Sequence, residues 1–307
     1  SNPDIQTLNP GTYIYKANTT GGTNYSVVSS LATGSLIVQN LSDIIPYGSY
    51  VILSSLPTLQ TITTPTPVPY TFPTPRRIFE VADSVGLTNA TSNATAGDWI
   101  VLKNGIYSQI SLTSNQKGNS SDYLIFAGEP GARVSGVSIQ GINYVSFYKI
   151  NFTNGINVRN NHHIDIVNSQ LTGNAGGGDA FYATYQSNGE IRILNNQVIG
   201  ETNYTLYSAN EGIYWEQLYG IGNNTRIAGN EIYQWRDGMS LGQARGDTSQ
   251  PPNTYNWSID HNVIYNTYDD AIEGDGWHGN LTISDNILGG TTQTMLAGVS
   301  LAPCGPG

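Results

Sequence analysis

Five stretches of this chain align on one another without gaps. They are Ile164-Asp-Ile-Val-Asn-Ser-Gln-Leu171, Ile191-Arg-Ile-Leu-Asn-Asn-Gln-Val198, Thr225-Arg-Ile-Ala-Gly-Asn-Glu-Ile232, Trp257-Ser-Ile-Asp-His-Asn-Val-Ile264 and Leu281-Thr-Ile-Ser-Asp-Asn-Ile-Leu288. The third position is isoleucine every time: Ile166, Ile193, Ile227, Ile259 and Ile283. The sixth is Asn196, Asn230, Asn262 and Asn286, with Ser169 in the earliest copy. The spacing between copies varies, so each reads as one coil with loops of different length. A strand cannot bury its apolar face alone, whereas equivalent coils stacked in register bury a continuous one. Asn tolerates a left-handed bend, and its amide can bond the equivalent Asn one coil away. The repeat therefore predicts an all-β parallel β-helix with an asparagine ladder at the bend of each coil.

Composition agrees. Gly (35) and Tyr (20) are abundant, only 11% of residues are charged, and strands joined by turns suit such a chain better than helices. Residues 1–60 hold short alternating segments such as Gly11-Thr-Tyr-Ile-Tyr15 and Ser35-Leu-Ile-Val38, which predict a small β module or extended β arm. Residues 61–76 are a Pro/Thr-rich connector, either a flexible linker or one pinned across a neighbouring surface by Tyr70 and Phe72. Residues 77–307 carry the β-helix, with an N-terminal cap at about 77–97 whose helical turn is expected over Ile78–Val85. Ser1 reads as a processed start, and Leu301-Ala-Pro-Cys-Gly-Pro-Gly307 as the beginning of another coil, so the stack is expected to stop unfinished.

The stretches Ala96-Gly-Asp-Trp-Ile-Val-Leu-Lys-Asn-Gly-Ile-Tyr107 and Tyr123-Leu-Ile-Phe-Ala-Gly-Glu-Pro-Gly-Ala-Arg-Val134 resemble the first coils of the pectin-lyase-like superfamily, especially its chondroitinase-B-like and alginate-lyase-like branch. Asp269-Asp-Ala-Ile-Glu273 and Ile283-Ser-Asp-Asn-Ile287 are similar to that superfamily's generic coils. The resemblance covers roughly Arg77 to Gly307. It implies a right-handed parallel β-helix but no single activity, because the scaffold hosts lyases, hydrolases, spikes and inert surface proteins.

A second column aligns Asp179-Ala-Phe-Tyr182, Glu211-Gly-Ile-Tyr214, Asp237-Gly-Met-Ser240, Asp270-Ala-Ile-Glu273 and Ala297-Gly-Val-Ser300. The period of two aims Phe181, Ile213, Met239, Ile272 and Val299 inward, and the small residues before them (Ala180, Gly212, Gly238, Ala271, Gly298) outward. A lane of small residues edged by Tyr182, Tyr214, Arg245 and His278 could hold a sugar chain. Alternatively, each acid caps a turn and the small residues admit close packing. Asp237, Asp269, Asp270 and Glu273 are the candidate catalytic group. Carboxylates stacked one coil apart raise one pKa and leave another low, the pairing that glycoside hydrolysis uses. Polygalacturonases, similar in placing an Asp pair on adjacent coils, also carry Gly-His-Gly and Arg-X-Lys motifs that have no match here. Uronate β-elimination fares worse, because it wants a Lys or Arg base and no Lys follows Lys149. Asp270, Glu273 and Asp275 could instead hold Ca²⁺ through hard oxygen ligands, although no cofactor is required. Asp165, Arg192 and Arg226 form an expected outward ion-pair row of small energetic value, and His162-His163 an exposed turn.

The net charge of -10, with no basic cluster beyond Arg76-Arg77, argues against nucleic acid. No apolar run approaches the ~18 residues that span a bilayer, which argues against membrane insertion. The lone Cys304 excludes an intrachain disulfide framework. Eleven Asn-X-Ser/Thr sequons (Asn18, Asn24, Asn40, Asn89, Asn93, Asn119, Asn151, Asn203, Asn223, Asn256 and Asn280) favour an extracellular, glycosylated protein. The leading expectation is a cell-surface structural or assembly subunit whose partners are copies of itself or cell-surface glycans. The alternative is a polysaccharide-active enzyme, hydrolase before lyase, and a third reading is a glycan-binding surface without turnover.

Overall fold

The computed structural model describes residues 11–17, 32–38, 64–112, 118–173, 178–184, 189–200, 212–216, 222–241, 254–267, 269–274, 278–289 and 297–300. Two compact units divide the chain, Ser1–Thr61 and Ile62–Gly307. In the first, Gly11–Ala17 pairs antiparallel with Ala32–Val38.

The second unit is a right-handed parallel β-helix. Each full coil gives one strand to each of three parallel sheets, called here the first, second and third faces. One coil runs through His162–Val167 on the first face, Gln170–Thr172 on the second and Phe181–Thr184 on the third. The isoleucine column is in register across five coils, Ile166 to Ile193 to Ile227 to Ile259 to Ile283. The first four are fully buried. Phe126 and Phe147 extend the same column toward the N-terminus, their rings stacked at 5.4 Å. The core is thus a stack of like on like, and each coil completes its burial only against its neighbours.

Between the first and second faces the chain turns in two residues, and the ladder forms there. Asn196 Nδ2 donates to Asn230 Oδ1 (3.1 Å), Asn230 Nδ2 to Asn262 Oδ1 (2.9 Å) and Asn262 Nδ2 to Asn286 Oδ1 (2.9 Å). Each of those oxygens also accepts the backbone N–H of the Asn one coil back, at 2.8–3.0 Å. The left-handed residue is not the ladder Asn, however. It is the one before it: Asn168, Asn195, Gly229, His261 and Asp285, all with φ of 51–67°. That residue turns the chain, which leaves the following Asn free to point inward, where its amide replaces ladder bonds the corner would otherwise lose.

Within the cap, the helix lies later than expected. Arg77–Val81 is a strand, paired parallel with Asp98–Leu102, and Ile78 is 56% exposed. The helix is Ser84–Asn93, started by Asp83, whose Oδ1 accepts the Gly86 N–H at 2.7 Å. Its buried residues, Leu87, Ala90 and Thr91, close the N-terminal end of the core.

Residues 64–75 are a strap across the outside of the first face. Val68 packs on Val167, Leu194 and Ala228, and its backbone N–H and C=O pair with the Asn195 amide at 2.7 and 2.8 Å. Tyr70 and Phe72 continue toward the N-terminal coils, Phe72 touching Tyr148 (4.3 Å between centroids) and Trp99 (5.8 Å). The strap corrects the expected exposed ion-pair row. Asp165 is fully buried beneath it, gripped by Arg192 and the Tyr70 hydroxyl. Arg226 pairs instead with Asp260, at 2.7 Å. His163 is also less exposed than expected, stacked on Tyr144 at 4.1 Å and paired with Glu190.

Candidate functional site

The third face carries the second column in the predicted register: Phe181 to Ile213 to Met239 to Ile272 to Val299. Phe181, Ile213, Met239 and Ile272 are fully buried. The small residues before those four do not face outward. Ala180 and Ala271 are buried, and so are Gly212 and Gly238. The corner between the second and third faces is tight: a Cβ on Gly238 would lie 2.5 Å from Ile264 Cγ2 and 2.6 Å from the Ala271 carbonyl oxygen. One on Gly212 would lie 2.7 Å from the Gly238 carbonyl oxygen. Smallness serves close stacking here; of the residues after the inward column, Tyr182 and Glu273 are half-buried and Ser240 is buried.

The same tight corner brings the acids together. Asp237 and Asp270 occupy equivalent places on adjacent coils, and Asp270 donates its backbone N–H to Asp237 Oδ1 at 2.9 Å. Asp237 is 1% exposed, and its Oδ2 makes no hydrogen bond; the closest cation, Arg236 Nε, is 3.7 Å away. Arg236 also reaches Asp269 Oδ2 at 3.5 Å. One oxygen from each of Asp237, Asp269 and Asp270 lies within 4.8 Å of the others. Burial, reinforced by the charges of Glu273 and Asp269, pushes the Asp237 carboxyl up to about 7, against the opposing Asp270 N–H bond and Arg236. Glu273 sits three residues beyond Asp270, about 10 Å of strand rise, and accepts a bond from Ser240 Oγ at 2.8 Å.

Of the four candidate catalytic residues, Asp237, Asp269 and Asp270 converge and Glu273 joins them through its field. A divalent cation with oxygen ligands fits the convergent three. Ca²⁺–O distances are about 2.4 Å, so ligand oxygens of one ion stand up to ~4.8 Å apart, and Asp237 Oδ2 has no hydrogen bond to give up. Asp275 lies outside the described residues, and Glu273 is not in the convergent group. His278 opens a first-face strand, His278–Ser284, and so does not share the third face with Asp270. Arg245 is outside the described residues; Tyr214 follows Tyr182 in register, and only its backbone is described.

Tyr182 borders a cleft of about 280 Å³ lined by Gln109, Val137, Ser138, Asn154, Gly155, Ile156, Asn157, Gly178 and Asp179. The cleft's uncharged polar side chains, Gln109, Ser138, Asn154 and Asn157, were not singled out by sequence. For Ser138 and Asn157 the signal was available, since Ile110, Val137 and Ile156 continue the inward column through three earlier coils and Ser138 and Asn157 continue the row of Tyr182. Those coils lack the acid that marked the later ones.

Among the sequons, Asn89, Asn93, Asn119, Asn256 and Asn280 are exposed, and Asn151 is half-buried against Gln170. Asn18, Asn24, Asn40 and Asn203 lie outside the described residues, as does the Asn223 side chain. Asn256 and Asn280 belong to a second, outer ladder. Asn256 Nδ2 donates to Asn224 Oδ1 (3.2 Å) and Asn280 Nδ2 to Asn256 Oδ1 (3.0 Å). Among the described residues no helix is long and apolar enough to cross a membrane.

No family profile and no curated protein sequence matches the chain. Several solved structures are similar. The pectate lyase Pel9A aligns at 12% identity and a TM-score of 0.43, over 74% of this chain and 78% of its own. An alginate lyase from Paenibacillus sp. str. FPU-7 aligns at 14% identity and 0.31, over 73% and 99%. The PL6 family alginate lyase AlyGC aligns at 13% and 0.26, over 67% and 40%. At such distances function has to be argued from this chain's own groups.

Proposed function

We propose that this protein is an extracellular polysaccharide-active enzyme that cleaves a glycan laid along the third face, by hydrolysis at the Asp237–Asp269–Asp270 corner. The observation that carries the reading is Asp237, a buried carboxyl titrating at about 7 within 4.8 Å of two further carboxylates. A general acid is most effective when its pKa lies near the working pH, and environments that push neighbouring carboxylates apart assign acid and base. Asp237 is the acid, and Asp269, with 23% of its side chain exposed, is the partner on the solvent side. Carboxyl groups this close match a retaining mechanism, at about 5 Å, better than an inverting one, which leaves room for a water. The third face repeats every ~4.8 Å along the stack, a repeat comparable to the advance of a pyranose chain. Elimination is the weaker chemistry because the adjacent cation, Arg236, is already in the field of Asp237 and Asp269 rather than poised as a base.

Asp237→Asn should lower glycan cleavage by at least about 100-fold, with activity in the parent falling as pH rises through about 7. Absence of cleavage across uronans and neutral glycans would sink the reading. The convergent oxygens favour a second use of the corner, in which Asp237, Asp269 and Asp270 hold Ca²⁺ that neutralises a uronate. Activity abolished by chelation, with an unsaturated product, would identify that case. Nothing among the described residues favours the assembly reading over either.

A further inference from the structure

The second face carries an outward column that changes character along the stack. Ile199, Tyr233, Tyr265 and Gly289 stand in register, one per coil. The rings of Tyr233 and Tyr265 stack at 5.0 Å between centroids and 12° between planes, close to the spacing of the coils themselves. Tyr265 is fixed in place. Its hydroxyl donates to Glu231 Oε1 at 3.0 Å, and Glu231 Oε2 accepts from Gln197 Nε2 at 3.0 Å. Glu231 stands in the same row as Val263, so the Tyr265 ring leans over that row.

One coil later the column carries no ring. Gly289 has no side chain to lay on Tyr265, yet its backbone admits one: a Cβ there would meet, among the described residues, only Tyr265 Cβ, at an ordinary 3.5 Å. The neighbouring row records the difference. Val263, in the coil of Tyr265, is 2% exposed, whereas Ile287, its equivalent in the coil of Gly289, is 47% exposed. A slot one ring thick is therefore open beside Tyr265, with Ile287 beneath it.

A pyranose suits this slot. The negative face of an aromatic ring attracts the C–H hydrogens of a sugar laid on it, and a ring already held by Glu231 loses little freedom on binding. The Tyr265 oxygen, having donated to Glu231, can still accept from a sugar hydroxyl. A protein partner needs about 800 Å² from each side. The other exposed large hydrophobics among the described residues, Ile78, Val85, Ile106 and Val299, lie on other elements or at the far end of the stack, so Ile287 and one ring would have to supply the apolar contact.

We propose that Tyr265, Ile287 and Gly289 form a glycan-binding platform on the second face, separate from the acidic corner, which takes one pyranose residue stacked on Tyr265. The ligand class rests on the reading that the chain acts on polysaccharide, while the platform requires nothing of the corner's chemistry. Tyr265 and Asp270 belong to the same coil, so a polymer held on the platform stays near the corner at a raised local concentration.

Native electrophoresis through gels containing xylan, glucomannan, polygalacturonate or alginate tests this, using the full chain with Asp237→Asn so that the probe is not cut. At least one glycan should retard the protein. Tyr265→Ala should then raise the Kd for that glycan by at least about tenfold, and Tyr265→Phe, which keeps the ring, by less. Gly289→Tyr lays the chain's own ring on Tyr265 and should weaken binding as much as Tyr265→Ala does, without loss of thermal stability. Circular dichroism establishes that each variant is folded. No retardation in any gel, or a Kd indifferent to Gly289→Tyr, would overturn the proposal. So would a dimer, seen by sedimentation, that Gly289→Tyr converts to monomer while glycan binding persists, because the occupant is then a second copy. The corner is judged separately, by cleavage in the parent. Retardation lost in Gly289→Tyr, with no cleavage by the parent, keeps the platform and removes the catalytic reading. Cleavage by the parent, with retardation that ignores Gly289→Tyr, removes the platform and keeps the catalysis.

Discussion

A single ladder residue shows how much one side chain does in a stacked fold. Asn230 accepts the Asn196 backbone N–H and amide and donates its own Nδ2 to the Ile193 carbonyl and to Asn262, with no exposure to water. Asn230→Ala strands several buried groups at once, and each costs about 1–3 kcal/mol when left unmet. The urea unfolding midpoint should fall by the equivalent of about 3 kcal/mol or more, and Asn286→Ala, at a half-buried rung where water can substitute, should fall by less. Equal losses at the two rungs would contradict the account. The column itself was legible because the inward amide has to recur at one place in every coil. Its left-handed neighbour was not, because Asn195, Gly229, His261 and Asp285 share a backbone conformation and no side-chain chemistry. The small residues misled for a related reason. Period two aims Gly238 outward, but the corner folds the Ile264 side chain and the next coil's backbone over it.

At the scale of elements, the strap is the part whose attachment can be tested separately. Its polar anchor is Asn195, which holds both backbone groups of Val68 while sitting at φ 58°. Asn195→Gly removes the side chain but suits the left-handed backbone, whereas Asn195→Ala removes the same bonds and adds strain of about 1 kcal/mol. Limited proteolysis within 64–72 should therefore accelerate in both variants, by several-fold, while only the alanine variant also loses global stability beyond the anchor itself. Unchanged cleavage in both would mean that Tyr70, Phe72 and Val68 hold the strap without Asn195. Sequence alone left a flexible linker and one pinned by Tyr70 and Phe72 side by side, because aromatic side chains in a proline-rich segment have no local core to join but name no surface either. It could not show the face they join, which depends on a chain reversal outside the repeat. The cap helix was displaced for a local reason. Ile78–Val85 looked helical by its apolar spacing, but the edge of Asp98–Leu102 offers hydrogen bonds that draw Arg77–Val81 into a strand, and Asp83 then starts the helix.

For the whole molecule, the buried acids set opposing demands on pH. Asp98, gripped by Arg77 and Arg76 and bonded to Thr95, is held well below the usual carboxylate range despite its burial. Burial raises Asp260, but Arg226, Ser258 and His261 together outweigh it and hold the carboxyl down to about 2. Both bind fewer protons folded than unfolded near pH 3, so the stability they contribute is present above about 4 and is lost as pH falls toward 2. Asp237 has the opposite sign. Its folded value of about 7 exceeds its unfolded value near 4, so the folded chain holds the extra proton between those limits and stability declines as pH rises across them. Mutual repulsion grows in the same direction, as the chain moves from its isoelectric point near 4.6 toward a charge of -10. Stability should therefore peak between about pH 4 and 6 and fall on both sides. In Asp237→Asn the amide oxygen still accepts the Asp270 N–H, and the alkaline decline should flatten. The variant should match the parent near pH 4 and exceed it at pH 8 by about 2 kcal/mol, allowing for partial relaxation of the site. Urea midpoints measured from pH 3 to 9 decide this, and a parent curve that rises between 5 and 8 would overturn it. The same substitution should abolish glycan cleavage. A gain in stability together with a loss of activity marks Asp237 as a group whose burial is kept for its chemistry, because a residue retained only to cap the next coil would give the first effect without the second.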